Sequence, residues 1–213
     1  NMAISHVLAE LHRRTGEPRY LALANEVVKD WEQAGDYLRT GEAGVPFYRT
    51  PRPRWESLHD LQALAELWRV TGEQRYRAAF LSHWRTIRDF DRRNSGAFSG
   101  GEQATGNAFT PSAIETCCTV AWMALSTDAL RLTADPTVAD ELELSTYNAA
   151  LGAQHPSGRW WTYNTPMDGV RQASAHEIVF QSRAGTPELN CCSVNGPRTL
   201  GMLSAWALMR DEA

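Results

Sequence analysis

Thr15-Gly16-Glu17-Pro18-Arg19-Tyr20 returns 56 positions later as Thr71-Gly72-Glu73-Gln74-Arg75-Tyr76, and a looser copy, Thr133-Ala134-Asp135-Pro136-Thr137, follows 62 positions after that. Each copy closes one amphipathic run and opens another. Ile4, Val7, Leu8 and Leu11 share a helical face ahead of the first copy, and Tyr20, Leu21, Ala24, Val27, Val28 and Trp31 follow it. Leu58, Leu61, Leu64, Ala65 and Trp68 lead into the second in the same way. A glycine at the end of a helix adopts the left-handed conformation that stops it, and an acid just beyond suits the N-terminus of the next. Helix, tight turn, helix and long loop at this period predict an all-α chain of stacked helical hairpins. The long loops at 35–55, 91–114 and 152–190 suit a toroid of helix pairs with loops at one end better than an open solenoid. One run, Arg159-Trp160-Trp161-Thr162-Tyr163, predicts a short hairpin arm.

Working outward, the 213 residues suffice for one domain with a sizeable core, and residues 1–213 are taken as a single piece of one domain. Both ends adjoin apolar helical patterns, which suggests an internal piece of a longer protein. The net charge of −4 is spread among arginines that alternate with acids, so no basic stripe for nucleic acid is present. No run of 18 apolar residues suggests a membrane span.

All four cysteines fall in two short segments, Ile114-Glu115-Thr116-Cys117-Cys118 and Asn190-Cys191-Cys192-Ser193-Val194-Asn195. Disulfide scaffolds spread their cysteines along a short chain, so this clustering argues for reduced thiols and a cytoplasmic setting. Three thiolates and a carboxylate form a donor set that suits Zn²⁺. Glu115 and Cys117 diverge on a regular helix and converge only if the backbone is still extended there, ahead of a helix from about Cys118 to Leu132. Adjacent Cys191 and Cys192 are expected in a loop, with Asn195-Gly196-Pro197 opening the next helix. Cys118 points away from Cys117 on that helix and reads as packing. The alternative for the cluster is four small buried cysteines without a metal.

The Glu115-Thr116-Cys117 segment with its apolar helix, followed by Cys-Cys-x-x-Asn at 191–195, resembles the β-L-arabinofuranosidase family, glycoside hydrolase family 127. Leu58-His59-Asp60-Leu61-Gln62-Ala63-Leu64, Tyr147-Asn148-Ala149-Ala150-Leu151 and Trp161-Thr162-Tyr163-Asn164-Thr165-Pro166 fit the same family in order. The resemblance implies an (α/α)₆ barrel catalytic domain, of which this chain would hold about half. It further implies zinc held by Glu115, Cys117, Cys191 and Cys192, with Cys191 as the nucleophile of a retaining glycosidase. The implied partner is a carbohydrate, an arabinofuranoside or related plant-type glycan.

Such an enzyme needs a carboxylic acid to protonate the leaving oxygen. Glu102, in the glycine-rich segment Phe98-Ser99-Gly100-Gly101-Glu102, is the candidate; some relatives instead carry the acid in a Gly-Glu-x-Phe-Thr segment, where this chain has Asn107. His59 carries over as a sugar contact, and Trp161, Tyr163 and His176 are expected to line the pocket. Trp55 and Trp160 are further stacking candidates, whereas Trp31, Trp68, Trp84, Trp122 and Trp206 sit at helical spacing and read as core. A competing reading is a non-catalytic helical protein whose zinc staples two loops. Glu102 separates the two, because a structural site has no use for it. A third, an epimerase or lyase on a helical toroid, leaves the thiols unexplained.

Overall fold

The computed structural model describes residues 3–167 and 190–210. The chain forms two compact units, Asn1–Asp91 with Ala104–Gly106, and Arg92–Gln103 with Asn107–Ala213.

The first unit consists of helices α1 (Ile4–Thr15), α2 (Pro18–Ala34), α3 (Tyr37–Glu42), α4 (Ser57–Thr71) and α5 (Gln74–Phe90). Helix α1 packs on α2 and α4, and α5 packs on α3 and α4. Leu58, Leu61, Leu64 and Leu67 of α4 are fully buried with Phe80 and Ile87 of α5. Gly41 of α3 lies so close to Ala79 of α5 that a Cβ there would meet its backbone at 2.8 Å.

The repeated turn has one hydrogen-bond plan in all its copies. Gly16 and Gly72 stop α1 and α4, each at φ 73°. The preceding threonine returns its hydroxyl to the helix, Thr15 to the Leu11 carbonyl and Thr71 to the Leu67 carbonyl, both at 2.7 Å. The same hydroxyl accepts the amides of Glu17 and Glu73 at 3.2 Å. One side chain therefore closes the outgoing helix and orients the incoming one. The third copy, in the second unit, repeats this through Thr133, with Ala134 in the left-handed position at φ 50°. Asp135 then caps the next helix by accepting the Thr137 amide at 2.9 Å, with Pro136 in the first turn.

The second unit is built around α6 (Thr116–Thr133), in which every residue except Arg131 and Thr133 is buried. A helix covered on all sides must lie at the centre of its unit. Helix α7 (Pro136–Leu144), a π-helical stretch at Ser145–Ala150, α8 (Cys191–Asn195), α9 (Pro197–Gly201) and α10 (Leu203–Trp206) pack on it. The π-helical stretch begins where Ser145 gives its hydroxyl to the carbonyls of Glu141 and Gly96.

A two-residue strand β1 (Ile114–Glu115) runs antiparallel to β2 (Asn164–Thr165), with Glu115 opposite Asn164. The expected arm precedes β2: the His155 amide donates to Trp160 and the Thr162 amide to Ala153, at 2.8 and 2.9 Å.

Of the tryptophans expected in the core, Trp122 and Trp84 are buried. Trp68 and Trp206 are only partly covered.

Candidate metal and active site

The site lies within the second unit. Glu115 is still extended, at φ −76° and ψ 133°, and α6 starts at Thr116, two residues earlier than the spacing suggested. Cys117 therefore stands in the first turn of the helix. The tie of Thr116 to the chain around Tyr163 sets this early start: its amide donates to the Tyr163 carbonyl at 2.9 Å and its hydroxyl to the Thr162 carbonyl at 2.7 Å.

The cysteine pair also departs from expectation. Cys191 and Cys192 open the one-turn helix α8 and are not in a loop. Asn190 caps it, its side-chain oxygen accepting the Ser193 amide at 3.0 Å. At the open end of a helix two successive side chains can turn to the same point, and the two sulfurs come within 3.9 Å.

The four donor atoms of Glu115, Cys117, Cys191 and Cys192 lie within 4.8 Å of one another. The sulfur separations are 3.8 Å for Cys117–Cys191, 3.4 Å for Cys117–Cys192 and 3.9 Å for Cys191–Cys192. Thiolates held tetrahedrally at ~2.3 Å from one ion stand ~3.8 Å apart, so the sulfurs have the spacing of a shared tetrahedral ion. Glu115 Oε1 lies 3.8 Å from the Cys192 sulfur. Protonation chemistry favours the same conclusion. Burial, then the Glu102 and Cys191 charges, pushes the Glu115 carboxyl above the usual carboxylate range. Hydrogen bonds from Cys117 and Cys192 hold the Cys191 thiol well below its ordinary value, whereas those of Cys117 and Cys192 are pushed up. Four acids this close need a cation to ionise together. The Glu/Cys₃ group fits a metal ion.

Cys118 is fully buried and keeps its thiol 3.9 Å from Glu115 Oε2. Packing is its main role, as expected, but it packs against the carboxylate of the site.

Glu102 reaches the cluster from a tight hairpin turn. Gly100 and Gln103 pair across it, and both central residues have positive φ, 62° at Gly101 and 64° at Glu102. Turns of this hand match strand twist but disfavour a residue with a side chain, so Glu102 is held in a conformation that glycine would adopt more readily. Its carboxyl accepts a 3.0 Å bond from the Tyr163 hydroxyl and forms a hydrogen bond with Glu115. Burial pushes the Tyr163 hydroxyl up, so it remains a donor. Gly101, Glu102, Ser112, Glu115, Tyr163 and Asn164 line an open cleft of about 260 Å³.

The loop carrying these groups is organised by Arg93. Its guanidinium, 2 % exposed, donates to the carbonyls of Ala108 and Thr110 and to the Ser112 hydroxyl. Asn107 is in an exposed turn, with its side-chain oxygen accepting the Phe109 amide at 2.9 Å.

Trp161 is buried, with its indole N–H on the Ala150 carbonyl and its ring against Gly196, so it backs the cysteine helix. Trp160 stacks on His155 at 4.7 Å. His59 belongs to the first unit, where its ring lies 2.9 Å from the Gln62 oxygen and edge-on to Trp55. His176 lies outside the described residues.

Two site relations escape a reading of the residues in order. One is the contact between Glu102 and Glu115. The other is Asn195, whose amide lies 3.4 Å from the Cys117 sulfur. Its spacing of four from Cys191 was an available signal, since such a pair shares a helical face.

Residues 2–204 match the family model described as the β-L-arabinofuranosidase, GH127 catalytic domain. No curated protein matches the chain. Among solved structures, one titled as a GH127 β-arabinofuranosidase aligns with TM-score 0.67 at 19 % identity, covering 91 % of this chain and 31 % of the other. A GH127 β-L-arabinofuranosidase from Geobacillus stearothermophilus T6 aligns with TM-score 0.66 at 19 % identity, covering 94 % and 36 %. A third, titled glycoside hydrolase, aligns with TM-score 0.60 at 19 % identity, covering 90 % and 37 %. The likeness is one of fold, and the chain spans about a third of the length of these structures. The predominantly helical architecture agrees with part of such a domain. By the family model that matches nearly its whole length, the chain belongs to the GH127 β-L-arabinofuranosidase catalytic-domain family.

Proposed function

We propose that this chain carries the reacting centre of a retaining glycoside hydrolase acting on β-L-arabinofuranosides or related glycans, with Cys191 as nucleophile and Glu102 as general acid/base. The observation that carries the reading is Glu102. A purely structural metal site is complete with Glu115 and three thiolates, and it leaves unexplained why a backbone-strained hairpin delivers a further carboxyl to the same cleft.

Glu115, Cys117, Cys191 and Cys192 would hold zinc, which supplies the positive charge that keeps the three sulfurs deprotonated. Cys191 is the natural attacking sulfur, since it is partly exposed whereas Cys117 and Cys192 are buried. Its sulfur bonds to the anomeric carbon as the glycosidic C–O bond breaks, and Glu102 gives its proton to the departing oxygen. In the second half Glu102 takes a proton from water, whose oxygen displaces the sulfur from the opposite face. The thiolate is regenerated and the configuration retained.

Glu102 needs to begin protonated for this role. The Tyr163 hydroxyl holds its carboxyl at 3.0 Å in the cleft that Glu115 also lines. His59, Tyr163 and His176 are the proposed sugar contacts, and Trp161 contributes from behind, as the wall that fixes α8. The reduced thiols fit a cytoplasmic setting. Among the described residues no helix is long and apolar enough to cross a membrane.

Azide rescue of Glu102→Ala tests the assignment. On an aryl arabinofuranoside, whose leaving group needs little acid help, the variant is expected to lose ~10²–10⁴-fold in turnover. Added azide should restore turnover and release glycosyl azide of retained configuration. Undiminished activity in this variant, or no response to azide in a weakened one, would remove Glu102 from the chemistry.

A further inference from the structure

Asn195 lies at the end of α8, four residues after Cys191, and both hydrogens of its carboxamide nitrogen are engaged. One bond runs to the Cys117 sulfur at 3.4 Å and the other to the Cys191 backbone carbonyl at 3.2 Å. The side-chain oxygen accepts from Arg198 Nη1 at 3.3 Å. A guanidinium has donors only, so it must meet the amide oxygen, and this sets the nitrogen towards the sulfur.

We propose that Asn195 is a positioning residue for the thiolate site, tying the Cys117 sulfur on α6 to the backbone that presents Cys191 on α8. The inference rests on the metal reading given above and goes beyond it by assigning the group that holds the two ligand segments in register. These segments are 74 residues apart in sequence (191 minus 117), and no covalent link joins their cysteines. The rest of their alignment depends on packing of a one-turn helix against α6 and on the Ser193 hydroxyl, which donates to the Trp161 carbonyl at 2.9 Å. An N–H···S bond adds direction to that packing. It also draws charge from Cys117, which does not attack, so the Cys117 and Cys191 thiolates are electronically unequal as well as geometrically distinct. Hydrogen-bonded partners of metal ligands commonly tune affinity by ~10–100-fold.

The test loads the protein with cobalt(II) in place of zinc and compares it with Asn195→Ala and Asn195→Asp. The readouts are the sulfur-to-cobalt charge-transfer band and the zinc affinity in competition with a chromophoric chelator. Each variant is expected to bind one metal per chain with zinc affinity ~10–100-fold weaker. The aspartate variant should be the weaker of the two, because its carboxylate would face the thiolate. In both, the charge-transfer band should move to lower energy, since Cys117 becomes a stronger donor once its hydrogen bond is gone. An unmoved band with affinity within ~2-fold of the parent overturns the proposal, since tuning of the usual size is then absent. So does a loss of metal with the band unmoved in the fraction still bound, because that reports damaged folding alone. A parent protein that binds neither zinc nor cobalt overturns the metal reading itself and removes this inference with it, so the two failures are distinguishable.

Discussion

Replacing Gly196 by alanine tests whether Trp161 anchors the cysteine helix. Gly196 separates α8 from α9 at φ −49° and ψ −45°, an ordinary helical conformation. By backbone preference alone, alanine there would stabilise the protein by ~0.5–1 kcal/mol. The surroundings reverse that sign. A Cβ on Gly196 would stand 2.6 Å from Cδ2 and 2.7 Å from Cδ1 of the Trp161 ring, whereas carbon atoms pack at ~3.5–4.0 Å. The ring cannot swing aside cheaply, since it is 5 % exposed and its N–H is bonded to the Ala150 carbonyl at 3.2 Å. Overpacking of this kind costs ~1–3 kcal/mol, which leaves a net loss of up to about 2.5 kcal/mol after the helical gain. For a chain of this size that lowers Tm by up to roughly 10 °C. Thermal and urea melts of Gly196→Ala, Trp161→Leu and the double variant measure it. In the Trp161→Leu background the added methyl should be neutral or stabilising, a non-additivity of the kind expected for touching residues. If Gly196→Ala raises Tm in the parent background, the tight contact with Trp161 is refuted, and with it the role of that ring as the wall behind α8.

Three further expectations follow from other parts of the molecule. Ala134→Gly places the residue of the other two turn copies at a left-handed position, and denaturant melts should show a gain of about 1 kcal/mol. His83 is fully buried, donating to the Tyr37 carbonyl, and burial lowers its pKa from 6.5 to about 4. Between those values the unfolded chain binds the extra proton, so stability should fall by roughly 3 kcal/mol as pH drops from 7 to 4. Melts across that range should show this slope, and His83→Phe should flatten it. Removal of metal with a chelator should lower Tm reversibly, by the equivalent of ~4 kcal/mol when the parent holds zinc at a thousand times its Kd. A Tm that ignores chelator and added zinc alike would argue against a bound ion.

The hairpin architecture is written in short-range terms. Thr15, Thr71 and Thr133 each bond within five residues of themselves, and a glycine or alanine beside them stops the helix. Such contacts depend only on local backbone geometry, so the pattern Thr-Gly-Glu shows where helices end before any packing is known. The donor set was legible for a different reason: only sulfur and carboxylate chemistry makes sense of four cysteines gathered beside Glu115. The helix expected to open at Asn195-Gly196-Pro197 does open there, as α9, but α6 starts two residues early and the cysteine pair forms a helix of its own. Thr116 is pulled into α6 by bonds to residues 162 and 163, a tie invisible in residue order. Asn190, by contrast, caps the cysteine pair into a helix through Ser193, three residues on, a local signal that residue order does carry.

The relations among site residues belong to the tertiary structure alone. Glu102 and Tyr163 are 61 positions apart, and Cys117 and Asn195 are 78 apart. Local propensities act over a few residues and hold no information about which distant side chains meet. That is decided when α6 is buried on all sides and α8 packs against it. The same burial turns Trp161 from an expected sugar platform into a wall behind the thiolates, because a side chain's role depends on which face the packing leaves open. Composition and spacing determined that this chain folds as helical hairpins and brings thiols and an acid together. Long-range packing determined which acid meets which, and which sulfur Asn195 holds in place.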